Sequence, residues 1–165
     1  MCCALLLAPA HAPAQGWDVS LSGNPSCPSL LIAVSKENQR LHILEHKSPL
    51  SVAQSFTCTT GEAMGDKLEE GDLRTPEGVY FTERRRDRGL DYDLYGELAY
   101  TLNFPNPVDR LKGKTGSGIW IHGRGHEIVP RETRGCVAVT QADMERMEPR
   151  LGFNVPVVIA RNVDW

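Results

Sequence analysis

The stretch IWIHGRGHEIVPRETRGCVAVTQAD (residues 119–143) decides how this chain is interpreted. It opens as an apolar strand that ends in His122 and Gly123, and fourteen positions after the histidine comes Cys136, preceded by Gly135. A cysteine thiol becomes a good nucleophile when a nearby imidazole takes its proton, and N–H groups beside a glycine can stabilise an oxyanion. The stretch therefore offers a candidate nucleophile, base and oxyanion donors in one short window. The plainer alternative is a buried thiol with an unrelated histidine.

The chain around this stretch has an ordinary globular composition. Its 165 residues, 41% of them hydrophobic and 24% charged, fit one domain, because typical domains contain about 100–150 residues. Fifteen glycines and eleven prolines indicate many turns, as in a β-rich fold. A formal net charge of -3 argues against a strongly basic nucleic-acid-binding protein. We therefore expect a single folded domain without a nucleic-acid partner.

The N-terminus has features of a secretory signal. Residues 2–10 form an apolar run that is too short to span a bilayer, which takes about 20 residues, and no later segment is long enough either. Two overlapping A-x-A patterns follow and end at Ala14, as at a cleavage site, although no Lys or Arg precedes the run. We predict a signal peptide over residues 1–14 and a single domain over residues 15–165. A hydrophobic N-terminal strand is the alternative.

Most of the remaining chain alternates short apolar runs with polar turns, which predicts a mainly β domain of mixed sheets or a sandwich with one or two short helices. Residues 61–78 lack apolar periodicity and are expected to form a long loop, and residues 84–93 a charged connection. Thr140, followed three positions later by Asp143, is typical of a helix N-cap. The predicted strands are residues 30–35, 40–44, 52–57, 78–82, 119–122, 136–139 and 155–160.

The five cysteines divide by position. Cys2 and Cys3 fall within the predicted signal peptide. Cys27 and Cys58 either pair as a disulfide in an oxidising compartment or remain two buried thiols. Cys136 is then the odd thiol that an exported protein would keep free.

Two motifs in the deciding stretch resemble the signature of a known family. IHG (121–123) followed by TRGCV (133–137) is similar to the signature of the L,D-transpeptidase catalytic domain, the YkuD family. The resemblance extends to LIAVSKENQRLHIL (31–44), TTGE (59–62) and GDLRTPEGVYF (71–81). The stretch YGELAYTLNFPNPVDRLKGKTGSGIWIHG (95–123) resembles the periplasmic murein-transpeptidase subgroup. The resemblance to this family implies the L,D-transpeptidase catalytic fold, with no cofactor and no metal.

The resemblance also implies a role for each residue of the motif. Cys136 would be the nucleophile and His122 the general base, oriented by the backbone carbonyl of Gly123. The N–H groups of Gly135 and Cys136 would form the oxyanion hole. Thr133 matches a Ser or Thr position of the motif. Arg134 stands where many members carry a second histidine, and we expect both residues to contact substrate.

Three further positions bear on substrate binding. Ala138 stands where family members often carry Arg or Asn, which leaves the contact to a substrate carboxylate without its usual residue. Trp120 shares a strand face with His122 by the period of two, so it is a candidate wall of the substrate groove. Tyr100 is a second candidate, although aromatic residues on strands are more often part of the core. Residues 84–88 either bind stem-peptide carboxylates or form a solvated loop.

The implied function is acyl transfer on peptidoglycan stem peptides by an exported, periplasmic enzyme with a thioester on Cys136. L,D-transpeptidation is the first reading. L,D-carboxypeptidase action and hydrolysis of links between peptidoglycan and an outer-membrane lipoprotein use the same site. A sortase-like enzyme is a further alternative, but this chain lacks the sequence that sortases carry before the cysteine. A non-catalytic wall-binding module is another, but it would not need an intact site. A zinc site of His122, His126, Glu127 and Cys136 is disfavoured because no second cysteine pair or HExxH helix is present.

Overall fold

The computed structural model describes residues 18–20, 29–45 and 50–164. The predicted signal peptide and Cys27 lie outside this part of the chain. Within it the fold is mainly β, which confirms the expected fold class. A short strand β1 (Asp18–Ser20) pairs in parallel with the last strand, β10 (Asn162–Asp164).

The other strands form one eight-stranded sheet in the order β4-β3-β2-β9-β5-β6-β7-β8. The strands in chain order are β2 (Leu30–Ser35), β3 (Arg40–Glu45), β4 (Ser51–Thr57), β5 (Gly78–Arg86), β6 (Ala99–Leu102), β7 (Trp120–His122), β8 (Val137–Ala138) and β9 (Pro156–Ala160). Strands β2 and β3 form the predicted antiparallel hairpin, with Ser35 opposite Arg40. Strand β7, which ends in His122, and strand β8, which begins directly after Cys136, therefore lie together at one edge of the sheet.

Three short α-helices occur among the described residues: α1 (Tyr92–Tyr95), α2 (Pro107–Leu111) and α3 (Gln141–Met147), the last continued by a 3-10 turn (Glu148–Arg150). The predicted cap of α3 is present, because the Thr140 side chain accepts a hydrogen bond from the N–H of Asp143. Met144 and Met147 are fully buried against the sheet, as their helical spacing predicts. None of the described helices is long and apolar enough to cross a membrane.

Strand β5 is longer than the sequence pattern predicts. Residues 84–86 were expected in a charged connection, but they continue the strand and pair with β6, where Arg85 lies opposite Tyr100 and Arg86 opposite Ala99. The register shifts between Thr82 and Arg85, which is a bulge. Exposed arginines are compatible with a strand because the backbone makes the ladder while the charged ends stay in water. The same strand pairs through its first half with β9 and thus joins the two halves of the sheet.

The loop of residues 61–78 is held by buried lysines. Lys36 is buried, and its Nζ donates to Gly65 O at 2.5 Å, Thr75 O at 2.7 Å and Glu77 Oε1 at 2.9 Å, which uses all three of its N–H groups. Burial lowers the pKa of Lys36, while the Glu77 carboxylate raises it. A buried ammonium with complete hydrogen bonding fixes the loop to the turn after β2.

A second buried lysine joins the same loop to helix α2. Lys114 Nζ lies 2.7 Å from Asp66 Oδ2 in the loop and 3.0 Å from Asp109 Oδ1 in the helix. Asp109 also completes a capping box with Asn106, so its carboxylate is fixed by the helix it caps. The hydroxyl of Tyr80 donates to Asp109 Oδ1 at 3.3 Å. The loop is thereby tied to β5 and α2 as well as to β2.

The described cysteines are both free. Cys58 is fully buried in the main core, and burial raises the pKa of its thiol to about 12, so it is an inert packing residue. Of the two expectations for Cys58, the structure therefore gives the free buried thiol. The other free cysteine, Cys136, is only partly buried.

We predict that Glu77→Gln lowers the free energy of unfolding by about 3 kcal/mol, because it leaves the buried Lys36 ammonium without its carboxylate. Glu70→Gln makes the same chemical change at an exposed position of the same loop and should stay within about 0.5 kcal/mol of the unsubstituted protein. Urea unfolding followed by tryptophan fluorescence measures both. Equal midpoints for the two variants would contradict a fixing role for the ion pair.

Candidate active site

Strands β7 and β8 bring the histidine and the cysteine of the deciding stretch together. They are parallel, with Ile121 opposite Val137 and His122 opposite Ala138, and Cys136 immediately precedes β8. Because side chains alternate along a strand, Cys136 faces the same side of the sheet as Ala138 and His122. The backbone N–H of Trp120 donates to the Cys136 thiol, and Sγ lies 3.4 Å from Gly118 O. The nucleophile candidate therefore lies against the strand that ends in the histidine.

The His122 ring is buried and held by its neighbour. Its Nδ1 lies 2.6 Å from the carbonyl oxygen of Gly123. Because a carbonyl oxygen only accepts, this contact requires a proton on Nδ1, and the neutral ring then carries its lone pair on Nε2. A Cβ on Gly123 would lie 2.5 Å from Gln141 Oε1 at the start of α3, so any larger residue here would have to push the Gln141 side chain away. The backbone around the histidine is thus adapted to this ring orientation.

Burial sets the charge state of both groups. Desolvation lowers the pKa of His122 to about 4; the bond to Gly123 O raises it, and the charge of Arg124 lowers it. Desolvation raises the pKa of Cys136 to about 11, although the N–H of Trp120 and the charge of Lys67 lower it. At neutral pH the resting pair is therefore a neutral imidazole beside a neutral thiol. It can become an ion pair only when proton transfer is coupled to substrate binding or attack.

Lys67 is a buried cation that acts on the thiol from the 61–78 loop. Its Nζ donates to Asp72 Oδ1 at 2.7 Å and to Glu69 O at 3.0 Å. Its Cε packs against the backbone at Gly116, where an added Cβ would approach it to 3.3 Å. The sequence pattern did not predict a role for this residue, because nothing local to Lys67 links it to residues 116–136. A fixed positive charge at this position favours the thiolate.

The turn before the cysteine is tightly constrained. Thr133 is buried, and its Oγ1 donates to Cys136 O at 2.6 Å and accepts from Gly135 N at 3.2 Å. Gly135 has φ +130°, and a Cβ there would lie 2.8 Å from Arg74 O, so only glycine fits. Thr133 therefore holds the turn, and its expected contact with substrate stays a prediction. Among the described residues, the Cys136 N–H has no acceptor.

An aromatic wall, formed by Tyr95 and Trp120, flanks the histidine. The Tyr95 ring lies 5.2 Å from the His122 ring and 5.3 Å from the Trp120 ring, measured between centroids. Arg86 covers the Trp120 ring, with Cζ 4.9 Å from its centroid. Trp120 is thus beside the pair, where the sequence pattern expected it. Tyr95 was missed because it comes from helix α1, whose only sequence signal is the cap provided by Asp91.

Tyr100 does not join this group. It lies opposite Ile121 in the sheet, so it faces the other side from Trp120 and His122, and it is buried in the core. This corrects its expected place in the substrate groove. Arg134 is exposed on the turn that precedes the cysteine, where it remains available to solvent or substrate.

The second histidine of the stretch lies apart from the buried pair. His126 is exposed, and its Nδ1 lies 2.9 Å from Glu127 O. Arg124, by contrast, is buried and forms an ion pair with Glu132 at 2.7 Å, which ties the two ends of this connection together. In the part of the chain that the structure describes, no three His, Cys, Asp or Glu side chains are grouped so that they could hold a metal ion.

Comparison with known proteins identifies the fold and its relatives. Residues 29–159 match the YkuD family, the L,D-transpeptidase catalytic domain. The putative L,D-transpeptidase YafK of Escherichia coli K12 is 31% identical over 90 residues, which are 54% of this chain and 33% of YafK.

Solved structures agree with the sequence match. The helical cell shape determining protein Pgp2 from Campylobacter jejuni superposes with a TM-score of 0.70 at 31% identity, over 79% of this chain and 47% of Pgp2. Bdellovibrio bacteriovorus Bd1075 gives 0.70 at 29% identity, over 86% of this chain and 51% of the other. The chain spans about half the length of these two proteins and a third of YafK. An L,D-transpeptidase from Xylanimonas cellulosilytica, at 17% identity and a TM-score of 0.56, shares the fold.

We predict that iodoacetamide alkylates Cys136 with a rate that rises about tenfold per pH unit between pH 8 and 10, because its pKa of about 11 makes the thiolate fraction grow in that proportion. Lys67→Met removes a charge that favours the thiolate, so alkylation should be roughly three- to tenfold slower at each pH. Lys67→Arg keeps the charge and should retain most of the rate. Mass spectrometry of the Cys136 peptide measures the adduct, and equal rates for Lys67→Met and the unsubstituted protein would contradict the effect.

Proposed function

Because the chain belongs to the L,D-transpeptidase catalytic domain family, we propose that it is an exported, cysteine-dependent acyl transferase acting on peptidoglycan stem peptides. The observation that carries the proposal is the 2.6 Å contact between His122 Nδ1 and Gly123 O, which leaves Nε2 as a base on the strand beside Cys136. His126 makes a similar contact with Glu127 O at 2.9 Å but is exposed and lies apart from the thiol, so the support comes from this contact together with the adjacent free Cys136. The neutral resting pair is suited to a nucleophile that ionises only during reaction.

In the first half-reaction the Cys136 thiol attacks the carbonyl carbon of the diamino acid at the third position of the stem. The thiol proton passes to His122 Nε2 as the carbon–sulfur bond forms. The bond to the terminal D-Ala then breaks, and His122 returns the proton to the leaving amine. A thioester on Cys136 remains, and D-Ala departs as a neutral amine with its carboxylate intact.

In the second half-reaction an acceptor resolves the thioester. An amine of a second stem gives a 3→3 crosslink: His122 Nε2 takes a proton from that amine, the carbon–sulfur bond breaks, and His122 returns the proton to the Cys136 sulfur. Water at the same position gives a trimmed tripeptide, which is L,D-carboxypeptidase action. The same chemistry hydrolyses a link between peptidoglycan and an outer-membrane lipoprotein. We take transpeptidation as the first candidate, and the acceptor that reaches the thioester determines which of these outcomes occurs.

The tetrahedral intermediate needs donors for its oxyanion. The Cys136 N–H is the main candidate because it has no acceptor among the described residues. The Gly135 N–H is shared with Thr133 Oγ1 at 3.2 Å, a weak bond that it can give up or bifurcate when charge develops. Thr133 acts on the reaction by fixing this turn. Arg134, at the exposed side of the turn, and Trp120, on the strand of the base, are the proposed substrate contacts.

The proposed site of action is the periplasm or cell envelope, where peptidoglycan is found. This rests on the expected signal peptide over residues 1–14, which lies outside the described part of the chain. The solved relative Pgp2 is described as a helical cell shape determining protein, which supports a role of this chain in cell-wall shape.

We predict that the protein releases D-Ala from a disaccharide-tetrapeptide and that Cys136→Ala abolishes the release. His122→Ala should lower the rate at least about 100-fold because the general base is lost. His126→Ala, the same change at an exposed histidine of the same stretch, should keep most of the activity. Mass spectrometry of the products separates a crosslinked dimer from a trimmed tripeptide.

The pattern of variants decides the assignment. Equal losses for His122→Ala and His126→Ala would indicate a two-histidine site instead of a single base. If the protein acts neither on this substrate nor on lipoprotein-linked sacculi, and matches Cys136→Ala in both assays, the enzymatic function is wrong and a wall-binding module remains.

We also predict that a carbapenem acylates Cys136. The thiolate adds to the β-lactam carbonyl and the ring C–N bond opens, so the adduct has the mass of the protein plus one intact antibiotic. Cys58→Ala should still be labelled, because Cys58 is buried with a pKa raised to about 12. Cys136→Ala should not be labelled, and an adduct mapped to any other cysteine would count against the assignment.

A further inference from the structure

Arg86 is an exposed guanidinium fixed beside the proposed site without a carboxylate partner. It ends strand β5, and its Cζ lies 4.9 Å from the centroid of the Trp120 ring. The adjacent Arg85 points to the other face, where it forms ion pairs with Asp87 and with Glu148. Arg86 forms no such pair among the described residues. One positive charge of this pair of arginines is therefore neutralised by the protein, and the other is left available.

The register of the sheet places Arg86 in line with the base. Arg86 lies opposite Ala99, Ala99 opposite His122, and His122 opposite Ala138. Directly paired residues point to the same face, so Arg86 and His122 share that face at two strand spacings, about 10 Å. The residues between and beyond them are alanines, whose methyl groups leave room and carry no charge.

The position of Trp120 connects the guanidinium to the nucleophile. Its backbone N–H donates to the Cys136 thiol, while its ring is covered by Arg86. The same residue therefore touches the reacting sulfur through its backbone and the cation through its side chain.

We propose that Arg86, held against Trp120, is a specificity-determining residue that binds a carboxylate of the stem peptide whose acyl carbon is attacked by Cys136. This inference rests on the proposed function. A guanidinium can stack on an aromatic ring with its face and still offer its N–H edges to a carboxylate in a bidentate pair. The ring thus holds the cation in place before the substrate arrives.

The chemistry of the stem peptide offers two carboxylates near the bond that breaks. One is on the side chain of the diamino acid that is attacked, and the other is the terminus of the D-Ala that leaves. An extended residue spans about 3.3–3.6 Å, so both lie within one or two residue lengths of the acyl carbon. The backbone of Arg86 lies about 10 Å from that of His122, so its long side chain can reach either carboxylate. Peptides amidated on one carboxylate or the other show which of the two is bound.

The test uses peptide binding as well as turnover. In the Cys136→Ala background, titration calorimetry measures the Kd of three tetrapeptides: unmodified, amidated on the diamino-acid side chain, and amidated at the terminal D-Ala. We expect Arg86→Gln to weaken binding of the unmodified peptide about tenfold, as for loss of a hydrogen bond to a charged group. In the protein that keeps Arg86, only one of the two amidated peptides should bind more weakly than the unmodified peptide. In the Arg86→Gln variant, that amidated peptide and the unmodified peptide should bind equally.

Two further variants control for charge and geometry. Arg88→Gln removes the same charge from an exposed residue two positions further along. It should bind all three peptides as tightly as the Cys136→Ala protein that keeps both arginines. Arg86→Lys keeps the charge but loses the bidentate edge, so it should recover binding only in part. If Arg86→Gln and Arg88→Gln bind alike, or if neither amidation matters, the carboxylate subsite is wrong.

The binding and turnover results separate the two hypotheses. Binding that depends on Arg86, with no release of D-Ala by the protein that retains Cys136, would contradict the proposed reaction and leave the subsite standing. If the protein releases D-Ala and Arg86→Gln changes neither KM nor kcat, the proposed reaction stands and the Arg86 subsite is wrong. If no stem peptide binds the Cys136→Ala protein at all, the subsite is overturned.

Discussion

The buried ammonium of Lys36 is the constraint on which the rest of the site depends. Its three hydrogen bonds, one to Glu77 Oε1, hold the long 61–78 loop to the sheet, although that loop has no apolar pattern of its own. Buried ion pairs are poor sources of net stability, but they allow few alternative arrangements once formed. The backbone carbonyl of Arg74 can therefore lie close to Gly135, and Lys67 can influence the thiol of Cys136. Loss of this constraint would release the wall of the site rather than a distant part of the fold.

The charge state of the candidate pair follows from the same burial. Both His122 and Cys136 have pKa values shifted toward their neutral forms, to about 4 and about 11, because desolvation outweighs the groups that favour charge. A neutral thiol is a weaker nucleophile than a thiolate, so its reactivity depends on the step that removes its proton. The same arrangement lets the N–H of Trp120 and the charge of Lys67 act on the sulfur as it ionises. Peptide recognition by Arg86 would then be linked to activation through Trp120.

Much of the fold and of the site follows from local patterns, and the errors have a common origin. The β2–β3 hairpin, the α3 cap at Thr140 and the mainly β class agree with the structure because each depends on residues close in sequence. The extension of β5 through Arg86 was missed because an exposed charged strand has no hydrophobic signal. Tyr100 was misplaced in the groove because alternation within a strand does not say which face is the core. Its partner Ile121 settles that question.

The sequence by itself determined the candidate residues of the proposed chemistry and their order: a histidine before a glycine, a spacer, and a cysteine after a glycine. These are local because a turn at Gly135 and a carbonyl next to His122 are made by adjacent residues. Only the tertiary structure decided which groups surround that pair. Lys67, Tyr95 and Arg86 come from three separate segments, and no spacing in the chain relates them to the cysteine. Lys67 and Arg86 meet there because the buried ion pairs that hold the 61–78 loop and the register of β5, both long-range interactions, set their positions.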